Sequence, residues 1–150
     1  TMLDGTSQEA WYDYAIVRVV PVVERGEFLN VGVILRARTL NYLSVRIEVD
    51  EVRLRALAPE ADLDLIRSHL AVFKAIAGGD GATGGPIATM SQSERFHWLT
   101  TPRSTVIQTS PAHVGRSNDP VGALEELMEL MVRRSPQDSS GTSGPEATMG

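Results

Sequence analysis

Residues 14–33 read YAIVRVVPVVERGEFLNVGV. Two apolar, β-branched runs flank the short charged segment Glu24-Arg25-Gly26-Glu27. That layout is a β-hairpin: two strands whose side chains suit a pleated, buried surface, joined by a polar connection. Arg18, Glu24, Arg25, Glu27 and Asn30 crowd into this one segment.

The first strand, residues 11–20, is apolar on both parities, with Tyr12, Tyr14 and Ile16 on one and Ala15, Val17 and Val19 on the other. This predicts burial on both faces and a central position. Arg18 interrupts the run, so it is expected to be paired or to lie near the strand's end. Pro21 has no amide hydrogen, and pairing should lapse there. In the second strand, residues 28–37, the odd positions Leu29, Val31, Val33, Leu35 and Ala37 are read as one apolar face. A turn at residues 38–41 leads to a third strand, 42–49. Its alternation of Leu43, Val45, Ile47 and Val49 with Ser44, Arg46 and Glu48 marks one wet face.

Helices follow. Asp50 can cap a short helix running to Leu57 and ending near Pro59. Residues 61–77 carry the clearest apolar stripe: Leu63, Ile66, Leu70, Phe73 and Ala77 recur at steps of three and four. Gly78-Gly79 ends it, and GGDGATGG, residues 78–85, is read as a flexible loop. Ser91 and Glu94 form a capping box opening another short helix. Residues 105–110 read as a fourth strand. Asp119-Pro120 opens the last helix, with Val121, Leu124, Met128 and Met131 as its core face and Arg133 and Arg134 at its C-terminal end. The expected architecture is α+β: two layers, an antiparallel sheet of about four strands covered by two or three helices. The helices of residues 61–77 and from Pro120 share one face.

Length fits one domain: the sequence has 150 residues. Residues 1–10 are expected to be a flexible lead-in, 11–134 the folded unit and 135–150 a disordered tail, because the tail has little apolar surface to offset the entropy of ordering. The net charge of −5 argues against nucleic acid as the main partner. No run approaches the ~18 apolar residues of a membrane span. With no cysteine there is no disulfide framework and no thiolate metal site. The N-terminus lacks the basic and apolar regions of a signal peptide, so a cytoplasmic location is the expectation.

Two clusters could carry chemistry. In the first, Arg18 is expected to face Asn30 across the hairpin, with Glu24 or Glu27 as its counter-ion. Such a pair either positions a ligand or fixes the hairpin. The second spans Arg95, His97, Trp98, Pro102, Arg103, Ser104, Gln108, His113 and Arg116. Arginine, serine, glutamine and histidine suit a phosphate or carboxylate. Ser104 as nucleophile, with His97 or His113 as base, lacks the G-x-S-x-G surround and is better read as a turn residue. His69, His97 and His113 are too widely spaced for an H-x-x-x-H or H-E-x-x-H site, so neither metal nor cofactor is expected. The glycine-rich loop has no following Lys-Ser/Thr and is not a phosphate loop. Both clusters are expected to meet in one polar site. Either Glu24 and Glu27 pair with Arg95 and Arg103 across the clusters, or Arg18 takes them within the first.

Two blocks, Y-A-I-V-R-V-V-P-x-x-E-R-G-E-F-x-N-V-G-V from Tyr14 and E-R-F-x-W-L-x-x-P-R-S-T-x-I-Q-x-S-x-x-H-x-G from Glu94, resemble a family of small bacterial proteins catalogued only as a domain of unknown function. The resemblance covers about residues 12–132. Genes of that family often lie beside one for a HipA-like kinase, a relative of toxin–antitoxin kinases. This implies an accessory role with a protein partner. It singles out Arg18, Glu24, Arg25, Gly26, Glu27, Asn30, Arg95, Pro102, Arg103, Ser104, Gln108 and His113, and supplies no catalytic assignment. Two functions follow as expectations. One is a binding or accessory module acting with a kinase-like partner. The other is a small enzyme for a phosphate- or carboxylate-bearing substrate. Convergence of the clusters in one concave pocket would favour the enzyme.

Overall fold

β1 (Ala10–Val19) and β2 (Leu29–Ala37) pair antiparallel in the computed structural model, which describes residues 9–133. The expected lead-in and tail fall largely outside the described residues. The hairpin connection is a 3-10 turn, Val23–Arg25, closed by Gly26 in the left-handed region at φ 72°. β3 (Tyr42–Ile47) pairs with the far side of β2 after a 3-10 turn in which Asn41 takes φ 54°. Asp50 caps α1 (Glu51–Leu57) by accepting from the Arg53 amide, and Asp62 caps α2 (Leu63–Gly78) through the Leu65 amide. The Ser91–Glu94 capping box opens α3 (Gln92–Thr100). β4 (Ile107–Thr109) and β5 (His113–Ser117) then pair antiparallel with the same side of β1, one after the other. Asp119 and Pro120 open α4 (Pro120–Met128), which continues as a π-helical turn, Glu129–Arg133. The sheet order is β3-β2-β1-β4, with β5 also on β1.

The class is α+β with an open antiparallel sheet, as the alternation in β3 and the β-branched hairpin imply. The helices divide between the two faces rather than sharing one. Val17, Val19, Val31, Ile34 and Val45 pack under α1, α2 and α3 with Leu54, Ile66, Leu70, Phe73, Ile76 and Leu99. Ile16, Val33, Leu35 and Ala37 pack under α4 with Ala123, Leu124, Leu127 and Met128. The reason lies in β1, which is apolar on both parities and needs cover on both sides.

β2 departs from the single odd-numbered face read from its sequence. Val17 pairs with Gly32 and Arg18 with Asn30, so Val31 is an extra residue, a β-bulge. Leu29 and Val31 therefore face α2, while Val33, Leu35 and Ala37 face α4. Gly32 is required beside the bulge. A Cβ there would fall against the Arg46 carbonyl oxygen and 2.8 Å from Ile47 Cδ1.

Three smaller expectations change. The fourth strand is shorter than residues 105–110, and a fifth follows it. Buried Ser110 bridges the two: its amide donates to the Ile16 carbonyl at 2.9 Å, and its Oγ accepts from the Ile16 amide at 2.9 Å. One hydroxyl thus replaces a missing ladder bond beside Pro111. The glycine-rich stretch is not an open loop. Asp80 accepts from the Ala82 amide at 3.0 Å, starting a turn, Gly81–Gly84, that leads into a 3-10 turn, Gly85–Thr89, with Ala88 buried. On α4, Val121 is exposed, and Ala123 and Leu127 join Leu124 and Met128 inside. The wider π turn shifts the phase, so Val132 is buried while Met131 only packs at the margin.

Candidate functional site

β1 carries Arg18 directly between Asn30 on β2 and Gln108 on β4. The bulge places Asn30 on the α4 face, opposite Leu29 and Val31. There its Nδ2 donates to the Met131 carbonyl at 3.0 Å, in the π turn. Asn30 Oδ1 is buried without a hydrogen-bond partner. Gln108 Nε2 turns back to the Thr105 carbonyl at 3.0 Å. The Arg18 guanidinium lies 4.3 Å over the centroid of the Phe28 ring, and its Nε is buried without a partner. Among the described residues Arg18 has no carboxylate within ion-pair distance. The expected pairing of Arg18 with Glu24 or Glu27 is therefore absent. The physical reason is the turn: Val23–Arg25 and Gly26 carry the carboxylates out into solvent, where Glu27 takes Arg25 instead at 3.0 Å. Glu24 is likewise exposed. Both carboxylates stay at the surface, which costs less than desolvating them beside Arg18.

The two arginines of the second block are occupied by backbone. The Arg95 Nη1 donates to the carbonyls of Ile76 at 3.0 Å and Ala77 at 2.7 Å, and its Nε donates to Met90 at 3.1 Å. Ile76 and Ala77 lie in the last turn of α2, where carbonyls run short of intrahelical donors; the Ile76 carbonyl also accepts from the Gly79 amide at 3.2 Å. Arg103 does the same for α3, donating to Trp98 at 2.6 Å and Leu99 at 3.3 Å. It is also stacked, 4.5 Å from the Trp98 ring centroid and 5.2 Å from that of Phe73. Burial pulls its guanidinium below its ordinary pKa. No ion pair joins Glu24 or Glu27 to Arg95 or Arg103 among the described residues. The acceptors that these arginines need are helix ends rather than carboxylates.

Ser104 is exposed in the loop after Arg103. His113 begins β5, opposite Tyr14, with the rings 5.4 Å apart. The blocks do touch, through the β1–β4 and β1–β5 ladders, and Arg18 beside Gln108 is the closest approach of polar members by register. Among the described residues, none of the five best-formed clefts is lined by members of both blocks. The cleft lined by Asn30 and the cleft lined by Arg25 contain none of Arg95, Arg103, Ser104, Gln108 or His113.

An ionic cluster that the sequence did not disclose sits beside Asn30. Arg133 bridges Glu48 on the segment after β3 and Glu125 on α4, with Glu129 at 3.6 Å. Arg46 holds the other Glu125 oxygen at 2.8 Å. Arg53 reaches the Val132 carbonyl at 3.3 Å. Hydrogen bonds from Arg133 hold the Glu48 and Glu125 carboxyls below the usual range, and both carboxylates raise the Arg133 pKa. Asn30, Asp50, Arg53 and Arg133 line a cleft of about 190 Å³ here. The only sequence signal was the charged wet face of β3, Arg46 and Glu48, without an indication that α4 would return over it. Among the described residues no His, Cys, Asp and Glu group could hold a metal ion, and no helix is long and apolar enough to cross a membrane.

Residues 14–132 match the model of a family described as Protein of unknown function (DUF3037), and the chain belongs to that family. No curated protein and no solved structure matches it significantly.

Proposed function

We propose that this DUF3037 chain is a binding or accessory module that acts with a partner protein, through the Arg18–Phe28 end of its sheet. The observation that carries the reading is the use of the polar side chains. Arg95 and Arg103 are spent on helix ends, and among the described residues no well-formed cleft joins the two blocks around a substrate. By contrast Val22, Val23 and Phe28 in the hairpin connection expose 41–46% of their surface beside that segment's charges. Exposed apolar groups among polar neighbours suit protein recognition. The gene neighbourhood implied by the resemblance supplies the partner class, a HipA-like kinase in a toxin–antitoxin-like setting, in a bacterial cytoplasm.

The alternative, a small enzyme for a phosphate- or carboxylate-bearing substrate, has less support. Ser104 donates no hydrogen bond to His97 or His113 among the described residues, so no activated nucleophile supports that reading.

The test is co-purification of the chain with the kinase-like protein encoded beside it, followed by a binding isotherm. Phe28→Ala should weaken the complex about tenfold or more if Phe28 is an anchor. Absence of binding by the wild type, or an unchanged isotherm for Phe28→Ala, refutes the reading.

A further inference from the structure

We infer that Arg18 is the receptor for a carboxylate, the side chain of an aspartate or glutamate on the partner. This deepens the partner-binding reading and rests on it.

Arg18 is a cation within an apolar central strand, and none of the described residues provides an anion for it. Among the described residues it makes no ion pair, and its Nε lacks an acceptor. Its neighbours by register are the neutral amides Asn30 and Gln108. Both are oriented by other bonds: Asn30 Nδ2 by the Met131 carbonyl, and Gln108 Nε2 by the Thr105 carbonyl. The other half-buried arginines among the described residues all have acceptors. Arg95 and Arg103 cap helices, and Arg133 holds two carboxylates. A half-buried guanidinium with no acceptor is unlike these others among the described residues; its Nε is enclosed, so an incoming acceptor meets the terminal N–H groups.

The surroundings fix what fits. Phe28, 46% exposed, covers one face of the guanidinium at 4.3 Å and limits its motion. A guanidinium held this way keeps its terminal N–H groups in a planar fork, the geometry that binds a carboxylate in bidentate fashion. Phe28 adds an apolar contact for the methylenes of the incoming side chain. A free phosphate would gain from the fork but not from the ring, so the carboxylate of a protein side chain is the better match.

The Nε–Hε proton of Arg18 gives a direct readout. It is buried, which slows exchange with water, and Arg18→Lys assigns its NMR signal by deletion. The uniformly ¹⁵N-labelled full chain is titrated with sodium acetate, sodium phosphate and sodium chloride at matched ionic strength. The expected result is a saturable shift of the Arg18 signal with acetate and none with chloride. In the complex with the kinase-like protein, Arg18→Gln should weaken binding about tenfold or more. Its amide spectrum must keep the wild-type dispersion. If Arg18→Gln does not fold, Arg18→Lys, which keeps the charge and loses the fork, is expected to weaken binding by a smaller factor.

No acetate-specific shift, a response to phosphate alone, or unchanged affinity in the folded Arg18 variants overturns the inference. Unchanged affinity in the Arg18 variants with weakened binding by Phe28→Ala would remove Arg18 and leave the partner-binding reading standing. Loss of all binding by the wild type would remove that reading itself.

Discussion

Replacing Arg103 with alanine tests the assignment of the second block to structure. The side chain donates two hydrogen bonds to the C-terminal carbonyls of α3 and stacks on Trp98, with Phe73 beyond. A hydrogen bond from a charged donor contributes about 1.5–3 kcal/mol. Stacking on an aromatic face adds about 0.5–1 kcal/mol. Burial of the guanidinium offsets part of both. A net loss of about 2–4 kcal/mol is expected for Arg103→Ala, because the Leu99 carbonyl loses its arginine donor, the Trp98 carbonyl keeps only the long Thr101 amide bond, and the Trp98 ring loses its cover. For a domain of this size that corresponds to a fall in Tm of about 6–15 °C.

Arg103→Lys keeps the charge at the helix end but not the planar fork, so it should lose about half as much. Urea unfolding monitored by circular dichroism, with tryptophan fluorescence as a second probe, measures both variants. An Arg103→Ala protein within ~0.5 kcal/mol of the wild type would refute the structural assignment. Arg103→Lys equal to wild type would show that charge at the helix end suffices without the fork.

Leu70→Ala and Phe73→Ala should each cost about 2–5 kcal/mol in the same assay, since both side chains are buried between α2 and the sheet; an unshifted unfolding midpoint would mean that α2 is not docked. Gly32→Ala should destabilise by about 1–3 kcal/mol, because its Cβ meets the Arg46 backbone, and folded protein of normal Tm would contradict the bulge geometry. The carboxyls of Glu48 and Glu125 are depressed by Arg133, so their contribution is present above the ordinary carboxyl pKa and is lost as pH falls below it through the folded values. Wild-type stability should therefore fall on acidification below about pH 4.3, and Arg133→Met should flatten that limb. An unchanged acid limb in Arg133→Met would dissociate it from this cluster.

The local chemistry of the chain was legible residue by residue. Asp50, Ser91, Glu94, Asp119 and Pro120 announce helix starts because capping is a contact between neighbours in sequence. The two apolar parities of β1 announce a central strand, and α2 announces its buried stripe. The position of Arg18 opposite Asn30 also follows from the hairpin once its register is known. Tertiary structure alone settled the rest. Val31 is apolar whichever way it points, so the bulge that turns Leu29 and Val31 to one face and Val33 to the other leaves no mark in hydrophobicity. Arg95 and Arg103 looked like anion ligands because a guanidinium binds a carboxylate and a helix-end carbonyl with the same N–H groups. Only the distances to Ile76, Ala77, Trp98 and Leu99 distinguish the two. The ion cluster of Glu48, Glu125 and Arg133 joins residues up to 85 positions apart. Its members carry ordinary surface residue types, and a pairing that exists only after the chain has returned over its own sheet cannot be written in local sequence.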